Sequence, residues 1–183
     1  PLSTLFVTGK EVSEEQLSIF YYIYINTMQR KEADKFYYFE KSFFSTLLQN
    51  LGSSALLSIT YVADNPASVE LVLLGKKIAY GFLGGTLNEY YQYKANTFQR
   101  WELLNYLITI GIGKYSLGGG ASRDDSIYEF KRSFSKNCYN PFYIGTYVHL
   151  PNIYDIILTQ WRKKYPLAAD KYAHKIQGYR HQF

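Results

Sequence analysis

Apolar and polar positions alternate along this chain with periods that change from segment to segment, and each change predicts an element. The stretch "LSTLFVT" alternates in the manner of a strand, an optional first one. Residues 13–30, "SEEQLSIFYYIYINTMQR", open with Ser13 and Gln16 in capping-box spacing and continue densely apolar, which predicts a largely buried helix. In residues 36–51, Phe36, Phe39, Phe43, Phe44, Leu47, Leu48 and Leu51 recur at threes and fours before Gly52, a second, amphipathic helix with a natural stop. "SALLSITYVA", "SVELVLLG" and "KKIAYGFLGG" are short β-branched and aromatic runs parted by turn-forming "DNPA" and "GKK", a three-stranded antiparallel meander.

Past a tyrosine-rich loop, Asn96 is placed to cap a helix through "TFQRWELLNYLITIG", apolar on nearly all sides and ended by Gly111 or Gly113. "KYSLGGG" reads as a short strand entering a loop, "SIYEFKRSFSK" as a helix and "PFYIGTYVHL" as a strand. "NIYDIILTQWRKKYP" gives a last clear helix, begun by Asn152 and stopped before Pro166, followed by a basic, aromatic tail. No repeat or long linker divides the 183 residues, so one domain is expected.

Composition narrows the chemistry. The chain carries 47% apolar and 19% charged residues, a globular balance, and no uncharged apolar run of about 18 residues that would cross a bilayer. No export signal is visible, and Cys138 stands alone, excluding an internal disulfide or a CxxC motif; a cytoplasmic, reducing setting is expected. Pro1 fits either removal of an initiator Met or a piece of a longer protein. His149, His174 and His181 are scattered without ligand spacing, so no metal is expected. Twenty basic against fifteen acidic side chains give +5, which favours an anionic partner, and twenty tyrosines with twelve phenylalanines supply faces that stack on bases or sugars, although codon bias alone would also enrich them.

The element order is a mixed α/β arrangement, an antiparallel half followed by a βαβ-like half, with a central mixed sheet flanked by helices. It resembles the GNAT fold of acyl-CoA N-acyltransferases. Members that use acyl-CoA carry a glycine-containing loop that opens the helix after the fourth strand, because backbone N–H groups must approach a pyrophosphate closely. Here Gly84 and Gly85 fall about ten residues too early, and no glycine stands near Asn96. The Gly118 to Gly120 run lacks a phosphate-loop arrangement, and Ser122 is not in a GxSxG elbow.

"NTFQRWELLNYLITIG", "KYSLGGG" and "SIYEFKRSF", in that order, resemble the C-terminal GNAT-like domain of the FemABX family, the peptidoglycan bridge-forming aminoacyltransferases. The pattern falls on Asn96, Trp101, Gly111 or Gly113, the glycine run, Phe130, Lys131 and Phe134, with Ser116 where the family has Asp. The resemblance implies aminoacyl-tRNA as donor, a peptidoglycan precursor amine as acceptor, no cofactor and no acyl-CoA, and a second GNAT-like domain before Pro1. It also implies that Lys131 lies near the donor ester, where an ammonium would stabilise the oxyanion of aminolysis. By periodicity alone Ile127, Phe130 and Phe134 form a core stripe and Lys131 is a solvated neighbour. Packing and capping are the roles expected of Trp101 and Asn96. Phe130, Tyr80, Arg123 and Asp124 are candidate substrate-binding residues, the acid serving equally as a helix-start signal. Two other readings stay open: an acyl-CoA-dependent N-acetyltransferase on a small amine, and a non-catalytic GNAT-like binding module.

Overall fold

In the computed structural model of this chain, Ser13 opens the first helix, α1 (Glu14–Arg30), through both bonds of its capping box: Gln16 N–H donates to Ser13 Oγ at 3.2 Å and Ser13 N–H to Gln16 Oε1 at 2.9 Å. The structure describes residues 1–119, 126–135, 140–141 and 143–182. These fall into two compact units, Pro1–Lys136 and Asn137–Phe183, where the sequence suggests one domain.

The first unit is built on a five-stranded sheet in sequential order: β1 (Leu2–Thr8), β2 (Ala55–Val62), β3 (Asn65–Leu74), β4 (Ile78–Thr86) and β5 (Lys114–Ser116). The first four strands pair antiparallel, and β5 joins β4 in parallel after a crossover through α3 (Ala95–Thr109). Alternation along the strands sorts side chains between two layers. Ala55, Leu57, Ile59, Val69 and Leu71 meet Leu17, Phe20, Ile23 and Tyr24 of α1 and Phe44 and Leu48 of α2 (Lys41–Leu51). Leu56, Val72 and Ala79, on the other face, meet Leu103, Leu107 and Ile112 around α3. Covered on both sides, β2 is buried from Ala55 to Thr60, which is why it reads as a run rather than an alternation.

The second helix is shorter than its apolar spacing predicts. A 3-10 turn, Lys35–Tyr37, capped by Asp34, precedes it, and Phe36 is exposed while Phe44 and Leu48 carry the burial. Gly52 ends it at φ +53°, the left-handed turn that favours glycine. Gly111 does the same for α3 at φ +80°: Gly111 N–H donates to the Ile108 carbonyl and Ile112 N–H to that of Leu107, a Schellman closure. Asn96 is not the cap of α3. That position belongs to Lys94, held left-handed at φ 52°, while Asn96 sits inside the first turn and accepts the Thr97 N–H at 2.9 Å. Trp101 is not core either. One face of α3 is buried, through Ala95, Gln99, Leu103 and Leu107, and Trp101 lies off it at 62% exposure.

Helix α4 (Ser126–Arg132) lies where expected, but its stripe is only partly covered: Phe130 and Phe134 meet edge to face, and Ile127 is exposed. In the second unit, α5 (Pro151–Lys164) and α6 (Pro166–Tyr172) each start on a proline, and Trp161, Ala168 and Ala169 form a small core. Trp161 Nε1 donates to the His181 carbonyl at 2.7 Å and Tyr154 to that of Ile176 at 2.7 Å, tying the tail back onto α5. The strand expected in "PFYIGTYVHL" is not found. Its described residues hold no strand, and Tyr143, Ile144 and Tyr147 are exposed by 83%, 76% and 78%, because alternation supplies a strand's face but not a neighbouring edge to pair with.

Phe44 is fully buried and touches the rings of Phe20, Tyr24, Phe39 and Phe43. Phe44→Ala is expected to cost about 3–5 kcal/mol in urea unfolding, against less than about 1 kcal/mol for truncation of exposed Phe36.

Candidate active site

The parallel strand β5 is much shorter than β4, and pairs with it over its whole length. They pair only where Ile78, Ala79 and Tyr80 face Lys114, Tyr115 and Ser116; β4 then runs on to Thr86 while β5 has ended. At the parting point β4 carries a bulge, since Leu71 pairs with Leu83 and Val72 with Gly81, leaving Phe82 as the extra residue. A bulge bends its strand and raises its twist, and this one falls just past the point where β5 ends. Beyond that point β4 runs on alone in an open stretch, the fork, with its backbone N–H and C=O groups along an edge that no described strand covers.

Charged side chains gather under the mouth of the fork. Arg100 of α3 donates through Nη1 to Glu70 Oε1 of β3 at 2.7 Å and also to the Tyr115 hydroxyl of β5, and that hydroxyl donates to the same Glu70 oxygen at 2.7 Å. The Glu70 and Arg100 side chains are only 10% and 12% exposed. Gly81 makes the meeting possible: a Cβ there would stand 2.7 Å from the Tyr115 hydroxyl and 2.8 Å from Glu70 Oε1. Burial works against the Arg100 charge, but Glu70, with Tyr115, more than offsets it and the guanidinium is held charged more firmly than usual. Burial, then the Glu70 carboxylate, pushes the Tyr115 phenol far above its ordinary range, with Arg100 opposing in part. Tyr115 is therefore a hydrogen-bond donor at neutral pH and not a base. Among the described residues the Arg100 Nε–H has no partner.

Next to this cluster, Gln99 fixes α3 to a polar stripe of the sheet. Its Nε2 donates to Ser58 Oγ at 2.9 Å and to the Ser68 carbonyl at 3.2 Å, and its Oε1 accepts from Ser68 Oγ at 2.7 Å; Ser68 Oγ also lies 2.8 Å from Thr86 Oγ1. At the far end of β4, Arg30 donates to the Thr86 carbonyl at 3.4 Å and stacks over the Tyr91 ring.

The sequence-derived residues are distributed around this site. Tyr80 is on β4 at the last paired position, 47% exposed. Lys131 of α4 donates to the Gly119 carbonyl at 2.6 Å, so it closes onto the glycine loop that follows β5. Phe130 is half-buried against Phe134. Arg123 and Asp124, like Gly120 of the glycine run, lie outside the described residues. Glu70, Arg100, Tyr115 and Gly81 were not anticipated. Their signal was nonetheless present, as one acid within "SVELVLL" and one arginine within a mostly apolar helix, charges that cannot be buried singly. Among the described residues no group of His, Cys, Asp or Glu could hold a metal ion, and no helix is long and apolar enough to cross a membrane.

A family profile described as acetyltransferase (GNAT) domain matches residues 5–132, from the first strand through α4. The chain belongs to this GNAT acetyltransferase family. Its fold is also that of solved acetyltransferases. One is an aminoglycoside acetyltransferase from an uncultured soil metagenomic sample, in complex with sisomicin, at 12% identity and TM-score 0.58 over 81% of this chain and 96% of that one. Another is a possible acetyltransferase from Clostridium difficile 630, at 10% identity and TM-score 0.57 over 81% and 99% of the two chains. A third is a ribosomal-protein-alanine N-acetyltransferase from Brucella melitensis biovar Abortus 2308, at 11% identity and TM-score 0.53 over 82% and 99%. No curated protein matches the chain in sequence.

Removing one member of the buried pair leaves the other charge unpaired. Glu70→Ala and Arg100→Ala are each expected to lose about 3–5 kcal/mol of stability in denaturant titration. Gly81→Val is expected to destabilise by forcing Tyr115 and Glu70 apart. The raised Tyr115 phenol fixes the sign of an alkaline effect: the unfolded chain releases that proton first, so stability is full below about pH 10 and falls above it. Tyr24, pushed up to about 12 by burial and then by Tyr37 and Tyr21, contributes to the same fall. Tyr115→Phe should shallow the decline in unfolding midpoint between about pH 10 and 12 without removing it.

Proposed function

We propose that the first unit transfers an acyl group from an activated donor to an amine, with the donor's reactive arm lying along the open edge of β4 and acyl-CoA as the donor. The observation that carries this reading is the fork: an uncovered strand edge binds an extended, amide-bearing arm through main-chain hydrogen bonds, in the way an added strand is bound. In the reaction the amine nitrogen attacks the acyl carbonyl, the bond to sulfur breaks, the departing thiolate takes up a proton and the amine loses one. Backbone N–H groups on the open edge stand ready to stabilise the oxyanion. Glu70, Arg100 and Tyr115 act as positioning residues that hold β5 beside β4 just short of the bulge. Family membership favours acyl-CoA, and the relatives named above act on acceptors as different as an aminoglycoside and a ribosomal protein, so the acceptor here is an amine of unassigned structure.

A second reading has its own observation. The chain enters α3 through Asn88–Tyr93, a left-handed Lys94 and a buried Ala95, with no glycine, and the Thr97 N–H is already taken by Asn96. That helix start offers few backbone donors to a pyrophosphate. It suits a Fem-type aminoacyl-tRNA donor and a peptidoglycan precursor acceptor, with Lys131 stabilising the oxyanion. Under the acyl-CoA reading, phosphates are held by side chains instead.

Acetyl-CoA is expected to raise the thermal midpoint, by about 2.7 kcal/mol of stabilisation at a hundredfold excess over Kd. No rise with acetyl-CoA, together with a rise with a non-hydrolysable aminoacyl-tRNA, would transfer the assignment to the second reading. In that case Lys131→Ala should lower transfer about a hundredfold or more, whereas an acyl-CoA enzyme should tolerate it.

A further inference from the structure

Helix α5 has two apolar sides, and among the described residues only one of them joins a buried core. Leu158 and Trp161 face the small core of the second unit. Ile153, Ile156 and Ile157 face outward, exposed by 51%, 53% and 37%, and the flanking Leu150 and Leu167 are exposed by 65% and 84%. Scattered apolar side chains on a surface require no explanation, but five large aliphatic ones on and beside one helix of two small-core helices do.

Charge indicates what covers them. The second unit holds six Lys and Arg against two Asp, Asp155 and Asp170, which leaves +4 of the chain's +5 in its last quarter. At about 100° per residue, Lys163 and Lys164 come round to the isoleucine side of α5, and Asp155, the only acid of that helix, lies opposite. The last-turn cations also complement the helix dipole, which accounts for their place along the helix but not for the isoleucines. An outward face of aliphatic side chains graded into lysines, with no acid among them, is complementary to an anionic lipid surface. It suits RNA less, since isoleucine neither stacks on bases nor reads them. A second copy of the same face would bring no acid to meet the lysines.

We propose that α5 docks the chain on an anionic membrane surface, lying in the interface with Ile153, Ile156 and Ile157 at the boundary of headgroups and acyl chains and Lys163 and Lys164 against lipid phosphates. The helix lies on the bilayer and does not span it.

Co-sedimentation of the 183-residue chain with vesicles tests this. Pelleting is expected with vesicles of phosphatidylcholine and phosphatidylglycerol, not with phosphatidylcholine alone, and is expected to weaken as salt is raised. The triple variant I153S/I156S/I157S should lose about tenfold or more in apparent affinity with an unchanged far-ultraviolet circular dichroism spectrum. Should that variant not fold, K163E/K164E, which keeps the isoleucines, should lose binding to the anionic vesicles by a similar factor. The proposal is overturned by absence of pelleting with anionic vesicles, or by pelleting that neither variant reduces. It is equally overturned by a dimer that the triple substitution dissociates while vesicles go unbound, or by tight single-stranded RNA binding that only the lysine reversal removes.

Discussion

A carboxylate from β3, a guanidinium from α3 and a phenol from β5 meet at one largely buried point beneath Gly81, and the placement of β5 and α3 on the sheet depends on that meeting. Each group alone would be too costly to bury, so the three elements that carry them are committed to one relative placement. The strand β5 is only three residues long and pairs with β4 over all three, so its position depends heavily on Tyr115 reaching across the sheet to Glu70. This constraint sets where β5 stops accompanying β4, and hence where the fork opens.

The open edge follows from an interruption of regular structure. A sheet in which β5 paired along the whole of β4 would leave no uncovered stretch there. The bulge at Phe82 and the absence of a side chain at Gly81 instead yield an open edge beside a rigid, charge-neutralised base. The helix start after β4 carries no glycine, with Lys94 left-handed at its cap, while the edge of β4 beyond β5 stays open.

Much of the fold was legible because its determinants are local. The Ser13 and Gln16 capping box, the glycine stops at Gly52 and Gly111 and the runs of β2 to β4 are each fixed within a few residues, and all form where the periodicity places them. Reading failed where the outcome depends on a partner elsewhere in the chain. Alternation in "PFYIGTYVHL" does not create an edge to pair with, Trp101 is apolar but lies off the packed face of α3, and Asn96 lost the cap position to Lys94 because the preceding 3-10 stretch delivers the chain in a left-handed turn.

The candidate site divides in the same way. Lys131 and Phe130 could be singled out from sequence by motif order and Tyr80 as an aromatic on the last meander strand, and the structure sets Lys131 against the glycine loop and Tyr80 at the last paired position of β4. Glu70, Arg100 and Tyr115 could not be joined from sequence, being separated by 30, 45 and 15 residues along the chain. By itself the sequence determined most of the elements, their order and the family's fold class, since helix and strand formation depend on neighbours three, four or two positions away. The tertiary structure alone decided which buried charges pair and where two parallel strands part, because pairing of that kind exists only after the chain has folded back on itself.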